Sequence, residues 1–312
     1  MDSWEPAAVP YDSVVCVKQV PDTANVTTEA MREDGTVNRG ALPTIFNPED
    51  LHALEAALAV RDAYGGTVTV VSMGPPKAAD VLRDCLFRGA DRAILLTDRR
   101  AAASDTLATS YILAQAVKTI GRYDFVFCGR QAIDGDTAQV GPQCAEKLGI
   151  PQVTYLQEMI SVDGRVARIK RSIGHGWEIV DAKLPVLITV LDSANRPRPQ
   201  AARRVMKAKR AKVPAEVAMA VKAEMPDAPE DQLAAETERR VKLLESQGLL
   251  IEQWDLDRIG ADLNRCGLAG SPTKVNRIQA IVLTKEGYSE VLPTEEGIGN
   301  LIHELVVDRT WG

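Results

Sequence analysis

Residues 125–142 read FVFCGRQAIDGDTAQVGP, an apolar strand-like run that leads into a glycine-rich loop and then into a segment of helical length. Similar apolar runs occupy residues 13–18, 67–74 and 92–98, with amphipathic segments between them. The runs are nearly continuous and do not alternate with polar residues, which is typical of parallel strands covered on both faces. This order of strands and helices predicts a doubly wound, mostly parallel α/β sheet.

Helices are expected between these strands, near residues 47–64, 76–88, 105–120 and 137–148. The first has the clearest start, because Asn47 is a suitable N-cap and Pro48 follows at the first helical position. A glycine follows each of the four segments, as is common after the C-terminus of a helix. These signals support the alternation of strands and helices.

Strand-like segments of another kind lie within residues 153–192 and read VTYLQEM, RVARIKRSI, WEIVDAK and PVLITVL. Turn residues join them, among them Asp163-Gly164 and Gly174-His175-Gly176. Short turns of this kind connect antiparallel strands. We therefore predict these four segments as antiparallel additions to the sheet.

From Pro214 onward the chain is highly charged and mostly helical in pattern, with helices expected near 227–247 and 294–308. Few apolar residues in this part are available for a core of its own. We expect an α/β domain over residues 1–212, followed by a helical insertion and a C-terminal arm over residues 213–312.

Composition excludes several classes of function. The chain has 312 residues, a formal net charge of −6, three histidines and five scattered cysteines. The histidines have neither metal-ligand spacing nor a nearby GxSxG serine, so no metal site and no hydrolytic chemistry are expected. The cysteines lack CxxC spacing, which favours reduced thiols in a cytoplasmic protein. No signal peptide is recognisable and no apolar run reaches about 18 residues, so we expect no direct membrane insertion.

The loop within residues 129–142 is the strongest candidate for a ligand site. It leaves a buried strand, and ligands of open α/β sheets bind beyond the carboxyl ends of the strands. Gly135, Thr137 and Gly141 allow backbone N–H groups to approach an anion near the start of a helix. The loop is therefore predicted to hold phosphate groups.

Two other interpretations of this loop stay open at this point. Asp134 and Asp136 supply two carboxylates that could bind a metal ion, although no further ligands cluster around them. The loop could also be a turn without a ligand. Neither GxGxxG nor GxxxxGK[ST] is present, so a phosphate must be held in a different way from those motifs.

The stretch DTLATS at residues 105–110 places Asp105, Thr106, Thr109 and Ser110 close together in a first helical turn. Asp105 could simply cap the helix. Alternatively, the polar side chains could line the edge of a bound ring.

A basic stretch at residues 196–212 contains eight Lys or Arg and no acid. It could be a solvated linker, and nucleic-acid binding is not expected, because no aromatic residue is interleaved and the whole chain is acidic. Docking of an acidic protein partner fits better. The candidate docking residues are Arg196, Arg198, Arg203, Arg204, Lys207 and Lys209.

Together the motifs resemble the beta subunit of electron-transfer flavoproteins, also called the FixA family. The matching stretches are VVCVKQVPDT at 14–23, NPEDLHALEAAL at 47–58, VVSMGPP at 70–76, RGAD at 88–91, GRQAIDGDTAQVGP at 129–142, KLPVLITV at 183–190 and MKAK at 206–209. The resemblance implies a Rossmann-like fold of the adenine nucleotide alpha hydrolase-like type. It also implies a heterodimer with an alpha subunit, a flavin carried between the two, and electron exchange with a flavin-dependent dehydrogenase.

The resemblance further implies an adenine nucleotide, which is AMP in ordinary members of the family and a second FAD in electron-bifurcating members. DTLATS and GDTAQVGP are similar to the bifurcating type and favour FAD, with NADH as a possible electron donor. In that case Asp105, Thr106 and Thr109 would face the flavin. The other cofactor-binding residues implied are Cys16, Asn47, Pro48, Glu49, Asp50, Met73, Gly74, Arg130, Gln131, Ala132, Ile133, Asp134, Gly135, Asp136, Thr137, Ala138, Gln139, Val140, Gly141 and Pro142.

Two stretches depart from the family pattern. Ala202 stands where an apolar anchor for the dehydrogenase would be expected, and residues 214–265 form an extension before LAGSPTKV at 268–275, which resembles the start of the family's partner-wrapping arm. The alternatives to a bifurcating subunit are an ordinary AMP-binding electron carrier and an ATP-using enzyme of similar fold. The last lacks an evident catalytic base or phosphate-binding lysine in the loop.

Overall fold

The computed structural model describes residues 10–22, 42–274 and 290–307. Thr23 of the VVCVKQVPDT motif, Val275 of LAGSPTKV and the N-terminal residues 1–9 lie outside the described residues. Within the described ranges no helix combines the length and the apolar character that crossing a membrane requires.

The strands of the described residues form one large sheet and one small one. In chain order they are β1 (Ser13–Cys16), β2 (Gln19–Pro21), β3 (Thr44–Phe46), β4 (Val68–Met73), β5 (Arg92–Leu96), β6 (Phe125–Gly129), β7 (Gln152–Asp163), β8 (Val166–Ser172), β9 (Trp177–Lys183), β10 (Val186–Val190) and β11 (Glu252–Trp254). The large sheet has the order β11-β5-β4-β1-β6-β10-β7-β8-β9, and β2 pairs with β3 separately.

The helices are α1 (Pro48–Tyr64), α2 (Ala79–Arg88), α3 (Thr106–Ile120), α4 (Val140–Leu148), α5 (Ala202–Ala208), α6 (Pro214–Glu224), α7 (Glu230–Ser246) and α8 (Glu295–Val307). Helices α1 and α2 cover one face of the sheet, and α3 and α4 cover the other. Successive residues of a strand point to opposite faces. Val15 therefore packs with α1 and α2, while Val14 and Cys16 pack with α3 and α4.

The predicted parallel strands are confirmed. β5, β4, β1 and β6 are hydrogen-bonded in that order, and each pair is parallel. The chain runs outward from β1 to β4 and β5, and then returns to place β6 on the other side of β1. The strand order thus reverses between β1 and β6, which is where open α/β sheets bind their ligands.

The expectation of four antiparallel additions was right for β8 and β9 and wrong for β10. Strand β10 is parallel to β6 and to the first half of β7, and antiparallel pairing begins only between β7 and β8. All five residues of β10 are buried, and α1 and α4 cover its two faces. A strand covered on both faces is typical of a parallel sheet.

The residues after 212 also join the main sheet, which the helical pattern did not predict. β11 pairs in parallel with β5 at the edge, and the Arg92 guanidinium donates to both carboxylate oxygens of Glu252, at 2.5 and 2.9 Å. Trp254 is buried, and the guanidinium groups of Arg92 and Arg258 lie 5.6 and 5.8 Å from its ring centroid. With only three residues, β11 is too short to show a strand pattern in the sequence.

Candidate functional site

The start of α1 joins the carboxyl ends of β1 and β6. The buried carboxylate of Asp50 accepts hydrogen bonds from the backbone amides of Lys18, at 2.8 Å, and Gly129, at 3.2 Å. Lys18 follows β1, and Gly129 is the last residue of β6. One carboxylate therefore holds together the two strand ends that border the point of reversal.

Asn47 and Glu49 hold the loop that follows β6. The Asn47 side chain donates to the carbonyl of Gln131, at 2.9 Å, and accepts from the amide of Ile133, at 3.2 Å. Glu49 accepts from the amide of Gln131, at 2.9 Å, and from the Arg130 guanidinium, at 2.7 Å. Asn47 occupies the N-cap position as predicted, but its side chain makes no capping hydrogen bond to α1.

Three of the predicted cofactor-binding residues have side-chain partners within the protein. The side chains of Asn47, Glu49 and Asp50 are all buried and bind the protein's own backbone. Burial raises the pKa of Asp50 to about 7, against the opposing effect of its hydrogen bonds with Asn47, Lys18 and Gly129. Their contacts indicate that these three side chains hold the loop in position. Pro48, which lies between them, has no polar side chain.

The backbone of the loop combines two features that are typical of anion-binding sites, namely left-handed residues and free amides. Asp136 and Ala138 have φ values of 48° and 52°, in the left-handed region that non-glycine residues avoid. Within the described ranges, the backbone amides of Thr137, Ala138 and Gln139 donate to no acceptor. Consecutive free amides in such a conformation form a nest for an anion, and α4 begins directly after it, at Val140. We call residues 136–141 the nest.

Two glycines of the loop, Gly129 and Gly141, have no room for a side chain, whereas Gly135 does. A methyl group on Gly129 would overlap the Asp50 carboxylate, and one on Gly141 would lie 2.8 Å from the methyl carbon of Thr189. Gly135 has open space around it and no positive φ. Packing within the protein therefore requires glycine at positions 129 and 141, while the space at Gly135 would admit a side chain.

The start of α3 borders the same loop. The Thr106 hydroxyl donates to the side-chain oxygen of Gln139, at 2.9 Å, and Thr109 is half-buried on the next turn. The carboxylate of Asp105 caps α3 by accepting from the amide of Ala108, at 2.9 Å. The capping interpretation of Asp105 is thus confirmed, and Thr106 is the residue of this stretch that contacts the loop.

Asp105 also fastens a later part of the chain. Its second oxygen accepts from the amide of Thr273, at 3.0 Å, and its own amide donates to the buried hydroxyl of Ser271, at 2.8 Å. Burial alone would raise the pKa of Asp105, but the hydrogen bonds from backbone amides, with Ala108 first, outweigh it and hold that pKa below its usual value. The start of α3 therefore connects the nest to the segment at 267–273.

The remaining predicted residues lie at neighbouring strand ends. Cys16 stands opposite Cys128 in the register of β1 and β6. A hydrogen bond with Cys16, together with burial, raises the pKa of the Cys128 thiol. Met73 ends β4, and the amide of Gly74 donates to the carbonyl of Leu96, at 3.0 Å. All five cysteines are buried and form no disulfide bond.

Lys18 is a residue of the site that the sequence analysis missed. Its ammonium nitrogen lies 2.7 and 2.8 Å from the two carboxylate oxygens of Asp134. Asp136 in turn accepts from the side-chain amide of Gln131, at 3.0 Å. The described residues contain no group of three or more His, Cys, Asp or Glu side chains that could hold a metal ion. The position of Lys18 after β1 was the available signal, because the carboxyl ends of neighbouring parallel strands lie together.

Part of the basic stretch forms α5, which packs against α2, so this part is not the solvated linker that the sequence also allowed. Arg198 is held by carboxylates of the protein itself, since its guanidinium donates to Glu55 and Asp62, each at 2.8 Å, and these hydrogen bonds raise its pKa. Arg204 donates to the carbonyl of Arg88, at 3.0 Å. Arg204 and the remaining predicted docking residues are solvent-exposed, namely Arg196, Arg203, Lys207 and Lys209.

Comparison with known proteins agrees with this architecture. Residues 34–220 match the family "Electron transfer flavoprotein domain". The chain is 50% identical to the electron transfer flavoprotein subunit beta of Megasphaera elsdenii, over 94% of this chain and 99% of that protein. It is 41% identical to the protein FixA of Azorhizobium caulinodans, over 92% of each chain. It is 47% identical to subunit CarD of the caffeyl-CoA reductase-Etf complex of Acetobacterium woodii, over 59% of this chain and 70% of that one.

The extent of these matches settles the family. The domain match alone covers more than half of the chain, and the relatives align over nearly all of it. The chain that these matches cover has a sheet whose strand order reverses between β1 and β6, as in nucleotide-binding α/β folds. The chain belongs to the family of electron-transfer flavoprotein beta subunits and FixA proteins.

Proposed function

We propose that this chain binds FAD with its phosphates in the nest and acts in a heterodimer with an alpha subunit. In this role it would pass electrons between NADH or an acyl-CoA-type dehydrogenase and other acceptors by flavin-based electron bifurcation. The observation that carries the proposal is the row of free amides at Thr137–Gln139, held in a strained backbone at the start of α4. Strain of about 1–3 kcal/mol per residue persists where the surrounding structure enforces it, as at ligand sites.

FAD is favoured over AMP by what borders the nest. The hydrogen bond between Thr106 and Gln139 brings the start of α3 next to the nest. Polar groups of α3 are therefore available to a flavin ring beyond the phosphates. AMP contains no such ring. The redox chemistry would be that of the flavin when it is bound. The residues of this chain would hold the phosphates, keep the loop in place and set the charge around the ring.

The choice of dehydrogenase class is supported by one relative. The caffeyl-CoA reductase-Etf complex that contains CarD joins an Etf to a reductase of a CoA ester. We extend that type of partnership to this chain. The two alternatives are an ordinary electron carrier with structural AMP in the nest and, from another class, an ATP-using enzyme of similar fold.

Cofactor content tests the proposal. The chain is purified with its alpha subunit, and the flavins and adenine nucleotides are extracted and counted. We expect two FAD for each heterodimer and an NADH-dependent bleaching of the flavin absorbance. One FAD with one AMP would establish the ordinary carrier instead, and release of phosphate or pyrophosphate from ATP by the chain alone would favour the ATP-using enzyme.

The alpha subunit is proposed to contact α8. This helix has no buried residue, and its apolar side chains Ile298, Leu301 and Ile302 follow the spacing of one helical face. An exposed apolar face of this kind is typical of a partner contact. The proposal agrees with the partner-wrapping arm that the family resemblance implies for this part of the chain.

The exposed face of α5 is proposed to contact the dehydrogenase. Arg203, Met206 and Lys207 are spaced for one face of the helix, and Met206 is 59% exposed. Met206 thus supplies an apolar group in the region where Ala202 lacks one. The two flanking cations would attract an acidic partner surface and speed its association.

Reversing the charge of both cations is expected to slow electron transfer to the dehydrogenase. In the double variant Arg203→Glu, Lys207→Glu we expect the second-order rate at low salt to fall roughly tenfold or more, because electrostatic steering is lost. Flavin content should stay unchanged. Stopped-flow mixing of the reduced heterodimer with its dehydrogenase measures the rate.

The matched control is Lys222→Glu with Lys242→Glu, which reverses two charges on α6 and α7. An equal loss of rate in this control would show that overall charge, and not the face of α5, governs the encounter. An unchanged rate at low salt in the α5 variant would contradict the proposed contact between this face and the dehydrogenase.

A further inference from the structure

We propose that Lys18 binds the phosphate of the nucleotide, and that Asp134 forms an ion pair with the lysine ammonium group as long as no phosphate is bound. The inference rests on the proposed nucleotide site and adds to it a cation from outside the loop. It also gives the loop a defined change on binding, since the Lys18–Asp134 ion pair must exchange for a Lys18–phosphate pair.

The backbone of Lys18 is held rigidly on both sides. Its amide donates to Asp50, at 2.8 Å, and its carbonyl accepts from the amide of Asn47, at 3.0 Å. Both contacts tie it to the start of α1, which also holds the loop after β6. The side chain therefore begins from a fixed point next to the nest, and substitution of the side chain leaves these backbone bonds in place.

The ion pair with Asp134 is well formed and easily exchanged. The ammonium group reaches both oxygens of Asp134, and the two side chains are 47% and 22% exposed. Pairs exposed to this degree contribute only about 0–1 kcal/mol to stability. A phosphate brings more negative charge and more acceptor oxygens than one carboxylate, so it competes well for the same ammonium group.

The charges of the loop require such a cation. Asp134 and Asp136 lie on the loop, and a phosphate entering the nest would be repelled by both. The Arg130 guanidinium cannot compensate fully, because it is paired with the buried carboxylate of Glu49 at 2.7 Å. Lys18 pairs with Asp134, which lies on the loop two residues before Asp136. Its positive charge is therefore close to the carboxylates that would repel the phosphate.

Binding of AMP and of adenosine to the full-length chain tests the inference, because the two probes differ only in the phosphate. Titration calorimetry at low salt compares the unmodified chain with Lys18→Met, Asp134→Asn and the double variant. We expect Lys18→Met to weaken AMP tenfold or more and to leave adenosine unchanged. Asp134→Asn should strengthen AMP severalfold, and this gain should be smaller when residue 18 is methionine.

Lys222→Met is the matched control, since it removes one exposed ammonium group from α6, and it should leave both affinities unchanged. If Lys18→Met weakens AMP and adenosine equally, or weakens neither, the phosphate role of Lys18 is overturned while the nucleotide site stands. If the unmodified chain binds neither probe, the proposed site itself is overturned. Equal thermal stability of the variants confirms that each is folded.

Discussion

Replacing Gly129 with alanine is expected to lower the free energy of unfolding by about 3 kcal/mol, a large effect for one methyl group added to a packed site. The new methyl would overlap the Asp50 carboxylate and lie 2.7 Å from the carbonyl carbon of Glu49 and 2.8 Å from the amide of Asp50. Backbone at the start of α1 cannot move aside, because Asn47, Glu49 and Asp50 bind the neighbouring loops. The variant is also expected to lose nucleotide.

Gly135→Ala is the matched control in the same loop. Nothing lies within 4 Å of the position of its methyl group, so the free energy of unfolding should change by less than about 0.5 kcal/mol. Urea denaturation followed by circular dichroism compares the two variants with the unmodified chain. Equal stabilities of the two variants would contradict the steric account of Gly129.

Asp50→Asn is expected to remove a pH dependence of stability that the unmodified chain shows. Burial raises the folded-state pKa of Asp50 to about 7, whereas an unfolded aspartate titrates near 3.9. The folded protein therefore binds more protons between these values. The stability linked to this group is fully present below about pH 4 and is lost as pH rises through about 7, by up to about 4 kcal/mol.

Asparagine cannot ionise, and its amide group cannot accept from both backbone amides that Asp50 serves. The variant should therefore be less stable at pH 5, by about 1–3 kcal/mol for the amide left unpaired. The difference from the unmodified chain should shrink, or change sign, by pH 8. Urea denaturation at several pH values measures it, with exposed Asp227→Asn as the control. A difference that is constant across this range would contradict the raised pKa.

Most of the sheet could be predicted from the sequence. Apolar runs such as FVFCG and VTVVS are buried on both faces, and that burial leaves a clear pattern for each parallel strand. The position of β10 could not be predicted in the same way. Its apolar run shows that it is buried, but only its placement between β6 and β7 shows that its pairing is parallel.

The site could be located from the sequence more readily than its contacts could be assigned. The loop after β6 and the start of α3 were both identified, since glycines and capping residues have local signatures. The roles of Glu49 and Asp50 depend on backbone amides 32 to 82 residues away along the chain. Lys18 was missed for the same reason, because its ion pair with Asp134 joins residues 116 positions apart.

The three-residue strand β11 has a consequence for the solubility of the chain. β5 carries the apolar run Ile94-Leu95-Leu96, and among the residues that the structure describes β11 is the strand that pairs with its outer hydrogen-bonding edge. A bare edge of this kind is a template for pairing with another copy of the same chain. The opposite edge, β9, carries the charged residues Glu178, Asp181 and Lys183, and charges of this kind disfavour edge-to-edge pairing. The extension after residue 212 thus covers an apolar edge of the sheet, and a chain shortened before Glu252 would expose that edge to self-association.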